Sequence, residues 1–100
     1  MSDRMALKNQ LKHVAGKDVG EIIVYALSTC QWCKKTKELL KNLKIEYNYI
    51  DVDLLSKTEE RELHELFGQM NVDMNFPVII VNDKNVIVGF QEDKIRKLSK

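Results

Sequence analysis

Two cysteines three positions apart, at a point where a short apolar run gives way to an amphipathic segment, constrain this chain more than any other feature. They are the chain's two cysteines and form the motif Cys30-Gln31-Trp32-Cys33. The preceding run, 22–27, is apolar and rich in β-branched residues, which is typical of a buried strand. After the motif, apolar residues recur at helical spacing as far as Leu43, with lysines 34, 35, 37 and 41 on the opposite, solvated face. The sequence therefore predicts a pair of thiols at a strand-to-helix junction.

The rest of the chain alternates between strand and helix patterns. The further predicted elements are a strand over 45–52, a helix starting at the Ser56–Glu59 capping box, a hairpin of 78–81 and 86–88 around the Asn/Asp-rich 82–85, and a helix over 91–98. The predicted order is β-α-β-α-β-β-α. This order is typical of an α/β domain in which a four-stranded mixed sheet is flanked by helices.

The first 20 residues precede this unit and carry a weaker pattern. Met5, Leu7, Leu11 and Val14 form a weak helical stripe, and Gly16 is a plausible stop. We therefore divide the chain into an N-terminal extension over 1–20, either a short helix or a loose tail, and a domain over 21–100.

Charge and hydropathy exclude several classes of partner. Sixteen Lys and Arg against 15 Asp and Glu give a formal net charge of +1, so nothing in the charge favours nucleic acid or an anionic membrane surface. No apolar run approaches the roughly 18–20 residues of a membrane span. The N-terminal segment lacks the continuous apolar stretch of a signal peptide. We expect a cytoplasmic protein in a reducing compartment, with no nucleic acid or membrane partner.

Three kinds of site use two cysteines at this spacing. A structural disulfide is disfavoured in a reducing compartment, and it would close too small a loop to stabilise the fold much. A structural zinc ion needs four ligands, and the further candidates His13 and His64 lie 51 residues apart, unlike the close pair of a zinc finger. A redox-active dithiol is the third possibility. The cysteine spacing by itself leaves zinc and redox chemistry open.

The context of the motif resembles that of the glutaredoxin family, a branch of the thioredoxin-like fold. Three landmarks in order carry the resemblance, which covers roughly 21–98: the segment 25–33 with its C-x-x-C, the segment 76–80 that opens Phe76-Pro77, and Gly89-Phe90 before the last helix. The resemblance implies a dithiol thiol–disulfide oxidoreductase that serves as an electron donor in cell redox homeostasis. It also implies a cis peptide bond at Pro77, facing the dithiol, beside which the substrate's cysteine segment would lie.

The predicted catalytic residues are the two cysteines. Cysteines at helix N-termini have pKa values of roughly 3.5–7.5, compared with about 8.5 for a free thiol. We therefore expect Cys30 to be the nucleophile and the more buried Cys33, one turn further on, to resolve the mixed disulfide. The predicted substrate-binding residues are Thr29, Gln31, Trp32, Phe76, Pro77, Gly89, Phe90 and Gln91.

The sequence departs from glutathione-using glutaredoxins at several of these positions. Many of them have a lysine three residues before the first cysteine, where this chain has Leu27, and Thr-Val before the cis-proline, where it has Asn75-Phe76. The Gly89-Phe90 pair resembles the glutaredoxin-like hydrogen donors of ribonucleotide reductase, which take electrons from a thioredoxin reductase. Thioredoxins also bury an acid six residues before the first cysteine, where this chain has Val24.

The expected partners follow from these departures. They are disulfide-containing proteins as substrates, and either glutathione or a thioredoxin-reductase-type enzyme as the reductant, with the second slightly favoured. We expect a monomer without a tightly bound cofactor, with glutathione as a possible co-substrate. The alternative is a metal-binding module that holds zinc, or a [2Fe–2S] cluster bridging two chains, through Cys30.

Overall fold

One mixed five-stranded sheet organises the protein, with helices on both faces. The structure is a computed structural model in which residues 5–99 are described. The helices are α1 (Met5–Lys8), α2 (Gln31–Asn42), α3 (Lys57–Met70) and α4 (Glu92–Lys97), and a short 3-10 helix at Val52–Leu54 lies between α2 and α3. The strands are β1 (Lys12–Val14), β2 (Ile22–Ala26), β3 (Tyr47–Asp51), β4 (Val78–Val81) and β5 (Asn85–Val88).

The strand order in the sheet is β1-β3-β2-β4-β5. Strands β2 and β3 are parallel, and the connection between them is α2, as a parallel pair requires. The other three neighbouring pairs are antiparallel. The thioredoxin-like α/β fold predicted from the sequence is thereby confirmed.

The central strand β2 is buried on both faces, which explains its continuous apolar sequence. Because side chains alternate along a strand, Ile22 and Val24 face one core with Leu40 of α2 and Ile95 of α4. The alternate residues of β2 face a second core, together with Leu7 of α1 and with Leu63 and Phe67 of α3. Two hydrophobic layers therefore fix the strand that leads into the cysteine motif.

The capping box predicted at the start of α3 is present. The backbone N–H of Glu59 donates to Ser56 Oγ at 3.2 Å, and the backbone N–H of Ser56 donates to Glu59 Oε1 at 2.8 Å. These two bonds satisfy donors that the first turn of a helix leaves unpaired. No helix among residues 5–99 is both long enough and apolar enough to span a membrane.

The predicted count of four strands is wrong, because the N-terminal segment contributes a fifth. Strand β1 pairs antiparallel with β3, and Lys12 lies opposite Tyr49. The weak helical stripe forms only the short α1, and Val14 belongs to the strand. Three residues are too few to show the alternation of a strand in the sequence. The strand forms because β3 offers an edge with unpaired backbone groups. Residues 1–4 of the predicted extension lie outside the described residues, and the domain boundary at residue 20 stays a prediction.

Smaller differences concern the ends of the elements. The predicted strand over 45–52 is shorter as β3, and the last helix is α4 with Gln91 as its N-cap. The hairpin turn comprises 82–84, because Asn85 already belongs to β5. Within this loop, the backbone N–H of Lys84 donates to the Val81 carbonyl at 3.1 Å, and the central residues Asn82 and Asp83 have the positive φ values, 54° and 56°, that a type I′ turn requires.

Truncation of Phe67 tests the core on the α3 side. Phe67 is 2% exposed, and its ring packs edge-on against Tyr25 with the centroids 5.2 Å apart. We expect Phe67→Ala to lower the free energy of unfolding by about 3–5 kcal/mol, because it opens a cavity and removes buried apolar area. Leu54→Ala is the matched control, since Leu54 is 65% exposed, and its cost should be about 0.5 kcal/mol or less. Denaturant unfolding measures both, and equal losses would contradict this packing.

Candidate functional site

Cys30 is the N-cap residue of α2, and its sulfur caps the helix. Its backbone is extended, with φ −84° and ψ 123°, and the backbone N–H of Cys33 donates to Cys30 Sγ at 3.2 Å. The positive end of the helix dipole lies at this terminus. Cys30 is half-buried, so its sulfur is held against the helix end without being enclosed by the core. This position favours negative charge on the sulfur.

Cys33 lies one turn away in a different environment. It is fully buried, in the core beside Val24 and Ile95, and the backbone N–H of Leu27 approaches its Sγ at 3.5 Å. Burial, followed by the hydrogen bond with Cys30, raises the pKa of the Cys33 thiol to about 12. The two thiols are therefore adjacent, but Cys33 is a protonated thiol near neutral pH.

The loop before Cys30 is anchored by an aspartate from a distant part of the chain. Ser28 donates to the Asp53 carboxylate twice, from its backbone N–H to Oδ1 at 2.8 Å and from its hydroxyl to Oδ2 at 2.5 Å. These hydrogen bonds lower the pKa of the Asp53 carboxyl. The anchor fixes the chain two residues ahead of the cysteine motif. Sequence patterns could not reveal it, because the partners are 25 residues apart.

A shallow pocket of about 200 Å³ unites five of the predicted substrate-binding residues. They are Trp32, Phe76, Pro77, Gly89 and Phe90. The Phe76–Pro77 peptide bond is cis, and the backbone N–H of Gly89 donates to the Pro77 carbonyl at 2.7 Å. Gly89 has φ 81°, a conformation that favours glycine. The loop before β4 and the loop after β5 are thus joined beside the start of α2.

Aromatic rings form one wall of this pocket. The Trp32 and Phe90 rings pack with their centroids 5.4 Å apart, and Trp32 remains 55% exposed. Lys35 Nζ lies 4.7 Å from the centroid of the Trp32 ring. The structure therefore presents an accessible apolar surface that begins two residues after Cys30.

The other three predicted binding residues do not line the pocket. Thr29 and Gln31 flank Cys30 and are exposed. Gln91 is the N-cap of α4, and its amide donates to the Val88 carbonyl at 2.7 Å. A larger cavity of about 410 Å³ lies on the other side of the sheet and is lined by none of the predicted site residues.

Lys37 departs from the solvated face that the sequence predicts for the lysines of α2. Its ammonium donates to Asp51 Oδ1 at 3.0 Å, and it lies 4.0 Å from the centroid of the Tyr49 ring. The side chains of Lys37 and Asp51 are 22% and 12% exposed. The contact with Asp51 could not be read from the sequence, because the acid lies on strand β3. The spacing shows only that Lys37 follows Cys33 by one helical turn, on the same face.

No cluster of three or more His, Cys, Asp or Glu side chains able to hold a metal ion is found in the described part of the chain. His13 instead contacts Glu46 at 3.4 Å and Asn48 at 3.1 Å. The alternative of a metal or cluster held through Cys30 with ligands from elsewhere stays a prediction.

Comparisons with known proteins decide the family. The profile of the glutaredoxin family matches residues 22–86, which include the cysteine motif, the cis-proline and β4. The chain belongs to the glutaredoxin family. It is 44% identical over 78 residues to a glutaredoxin-like 8.6 kDa protein in the rubredoxin operon of Clostridium pasteurianum. This match covers 77% of this chain and 95% of the relative.

Two solved structures are similar over most of their length. The glutaredoxin of Methanosarcina mazei Go1 is 46% identical and superposes with a TM-score of 0.80, covering 90% of this chain and 87% of that chain. The methanoredoxin of Methanosarcina acetivorans is 44% identical, with a TM-score of 0.77 and coverages of 83% and 87%. The resemblance inferred from the sequence is confirmed, and family membership supports a thiol oxidoreductase.

The contrast between the two cysteines is testable by alkylation. In Cys30→Ser, only Cys33 remains, and burial, the largest cause of its raised pKa, is retained, so that very little of it is thiolate at pH 8. Because the raised pKa delays ionisation, its reaction with iodoacetamide should be very slow and should rise about tenfold per pH unit between pH 7 and 10. Cys33→Ser, the matched variant, leaves Cys30 and should react far faster at pH 8. Similar rates by mass spectrometry would contradict this assignment.

Proposed function

We propose that this protein is a dithiol oxidoreductase that reduces disulfides in other proteins, with Cys30 as the nucleophile and Cys33 as the resolving thiol. The observation that carries the proposal is the position of the Cys30 sulfur as the side-chain cap of α2, within 3.2 Å of the Cys33 N–H. A sulfur at the positive end of a helix is suited both to attack as a thiolate and to leave as one.

The proposed cycle has two exchanges. Cys30 Sγ attacks one sulfur of the substrate disulfide; that S–S bond breaks, and the departing sulfur leaves as a thiolate that takes a proton. Cys33 then loses its proton and attacks Cys30 Sγ, so that the mixed disulfide breaks and the second substrate thiol is released. The substrate disulfide gains two electrons, and the protein's dithiol becomes a disulfide. The short helical separation of the two cysteines suits this intramolecular step.

The aromatic pocket supplies the proposed binding surface. An extended segment beside the substrate cysteine would lie against the rings of Trp32 and Phe90 and along the Phe76–Pro77 peptide. These rings offer apolar contact close to Cys30, so a substrate segment needs no charged group to bind there. Thr29, Gln31 and Gln91 would contribute polar contacts at its edge.

A thioredoxin-reductase-type enzyme is the proposed reductant, with glutathione as a slower co-substrate and no tightly bound cofactor. Leu27 occupies the position of the glutathione-binding lysine and is half-buried against the core on the α3 side, so it offers a carboxylate no charge. The loop before Pro77 likewise brings the apolar Phe76 to the pocket. We place this cycle in the cytoplasm, because a dithiol donor must be kept reduced between turnovers.

Substitution of each cysteine tests the two roles. We expect Cys30→Ser to lose at least about a thousandfold of insulin-disulfide reduction, because its hydroxyl is not ionised at neutral pH and forms no mixed disulfide. Cys33→Ser should instead accumulate a mixed disulfide between Cys30 and the substrate, visible by non-reducing electrophoresis and mass spectrometry. Substantial activity remaining in Cys30→Ser would refute the proposal.

The reductant is tested by supplying electrons in two ways. With thioredoxin reductase and NADPH, turnover should be at least about tenfold faster than with glutathione, glutathione reductase and NADPH, because no cation at Leu27 assists glutathione binding. The control is Leu27→Lys, which should raise turnover with glutathione while changing reductase-driven turnover by less than about twofold. Equal rates in the unmodified protein would contradict the preference.

A further inference from the structure

The resolving step requires a charge where the fold makes charge costly. Cys33 must become a thiolate in order to attack, yet it is fully buried, and its pKa is about 12. Cys33 belongs to a hydrophobic core cluster to which β2, β4 and α4 contribute apolar residues such as Val24, Ile79 and Ile95. Some other group must stabilise the negative charge during resolution.

We propose that Lys37 is a positioning residue for the resolving step, and that its ammonium, fixed by Asp51 and Tyr49, stabilises the negative charge that develops on the Cys33 sulfur. This inference rests on the dithiol function proposed above and adds a third side chain to it. Lys37 does not touch the substrate; it acts through Cys33.

The lysine and the buried thiol lie one helical turn apart on α2. Lys37 follows Cys33 by four residues on α2, so that the two side chains share one face of the helix. The salt bridge to Asp51 at 3.0 Å and the contact with the Tyr49 ring at 4.0 Å restrain the lysine, which is 22% exposed. A lysine free in solvent would be screened by water, whereas this one is partly buried and held in one position.

A second stabilising group reaches Cys33 from the neighbouring strand. Asp51 pairs with Ala26 in the register of β2 and β3, and the next residue, Leu27, directs its backbone N–H at Cys33 Sγ from 3.5 Å. This N–H and the Lys37 charge both lower the pKa of Cys33 and partly offset its burial. The anchor of Lys37 and the Leu27 N–H thus come from the same end of the sheet.

The charged and titratable groups around Cys33 in residues 5–99 are few. Cys30, at the start of the same helix, raises the Cys33 pKa, and Lys37 lowers it. Asp51 and Tyr49 of β3 contact the ammonium of Lys37. The ammonium is thus the positive side-chain charge that bears on the resolving thiol.

Ellman's reagent separates the two exchanges in one experiment. In stopped flow, attack by Cys30 releases one coloured thiolate in a phase proportional to reagent concentration. Attack by Cys33 on the mixed disulfide releases the second in a phase independent of concentration, while the Cys33 proton passes to the buffer. The reagent is reduced to two thiolates as the dithiol becomes a disulfide, so electrons balance.

We expect Lys37→Gln to slow the second phase about tenfold at pH 8, corresponding to a rise of about one unit in the pKa of Cys33. Lys37→Arg should restore the rate to within about threefold, because it keeps the charge. Lys41→Gln, an exposed lysine of the same helix, should leave both phases unchanged. The first phase, which reports Cys30, should change by less than about twofold in all three variants.

Asp51→Asn distinguishes Lys37 from a competing assignment. If the ammonium acts, removing the neighbouring carboxylate should not slow the second phase, because a negative charge is lost near the developing thiolate. A slow second phase in Asp51→Asn with a normal one in Lys37→Gln would assign a base to Asp51 and overturn the proposal. An unchanged second phase in Lys37→Gln, with the fold intact by circular dichroism, would overturn it too.

Failure of the underlying function has a different signature. If the unmodified protein releases only one thiolate per molecule, Cys33 does not resolve the mixed disulfide, and the dithiol mechanism itself is wrong. If two thiolates are released but Lys37→Gln changes nothing, the dithiol mechanism stands and the role of Lys37 is wrong. A slow second phase in Lys37→Gln that Lys37→Arg restores supports an electrostatic role, because the arginine keeps the positive charge while changing the packing of the side chain.

Discussion

The hydrogen bond from the Cys33 N–H to the Cys30 sulfur is the contact on which the site depends. It exists because α2 begins at Gln31, immediately after the strand β2 and a short loop. The start of the helix is fixed in turn by β2, which two hydrophobic layers bury on both faces. The rigid sheet thereby determines where the helix begins. At this N-cap position, the Cys30 sulfur takes the place of the serine or aspartate side chain that caps other helices.

The same helix gives its two cysteines opposite surroundings. The N-cap sulfur is half-buried and accepts the Cys33 N–H at the positive end of the helix. One turn later, the side chain enters the core, where desolvation penalises charge and raises the pKa of Cys33. This difference is the basis for the proposed order of the two exchanges. It also creates the need that the Lys37 ammonium, held in place by Asp51, is proposed to meet, since a partly buried charge is screened less than one in solvent.

Close to the dithiol, this protein has the apolar Leu27 where many glutathione-using glutaredoxins have a lysine. Trp32 and Phe90 form an aromatic wall beside the cis peptide bond at Pro77, and Leu27 packs into the core. Apolar walls discriminate weakly between related apolar groups, while a missing charge partner weakens binding of a carboxylate more strongly. This is the physical basis for preferring protein partners in the proposed cycle.

The sequence predicted much of this fold because the informative patterns were local. Helical spacing located α2, the Ser56–Glu59 pair marked the start of α3, and the apolar runs marked β2 and the hairpin. The prediction of the pocket residues came from family resemblance instead, and five of the eight lie together in the structure. The strand β1 was missed because three residues cannot show a period and its pairing partner lies on β3.

What the sequence by itself determined was the element order and the position of the thiols, since each follows from residues within a few positions of one another. The tertiary structure decided which residues surround those thiols. The Ser28–Asp53 anchor and the Lys37–Asp51 pair join residues 25 and 14 positions apart, and the aromatic pocket joins the start of α2 to two separate loops. Such contacts depend on how the sheet brings its strand ends together, a spatial relation that no local pattern along the chain records.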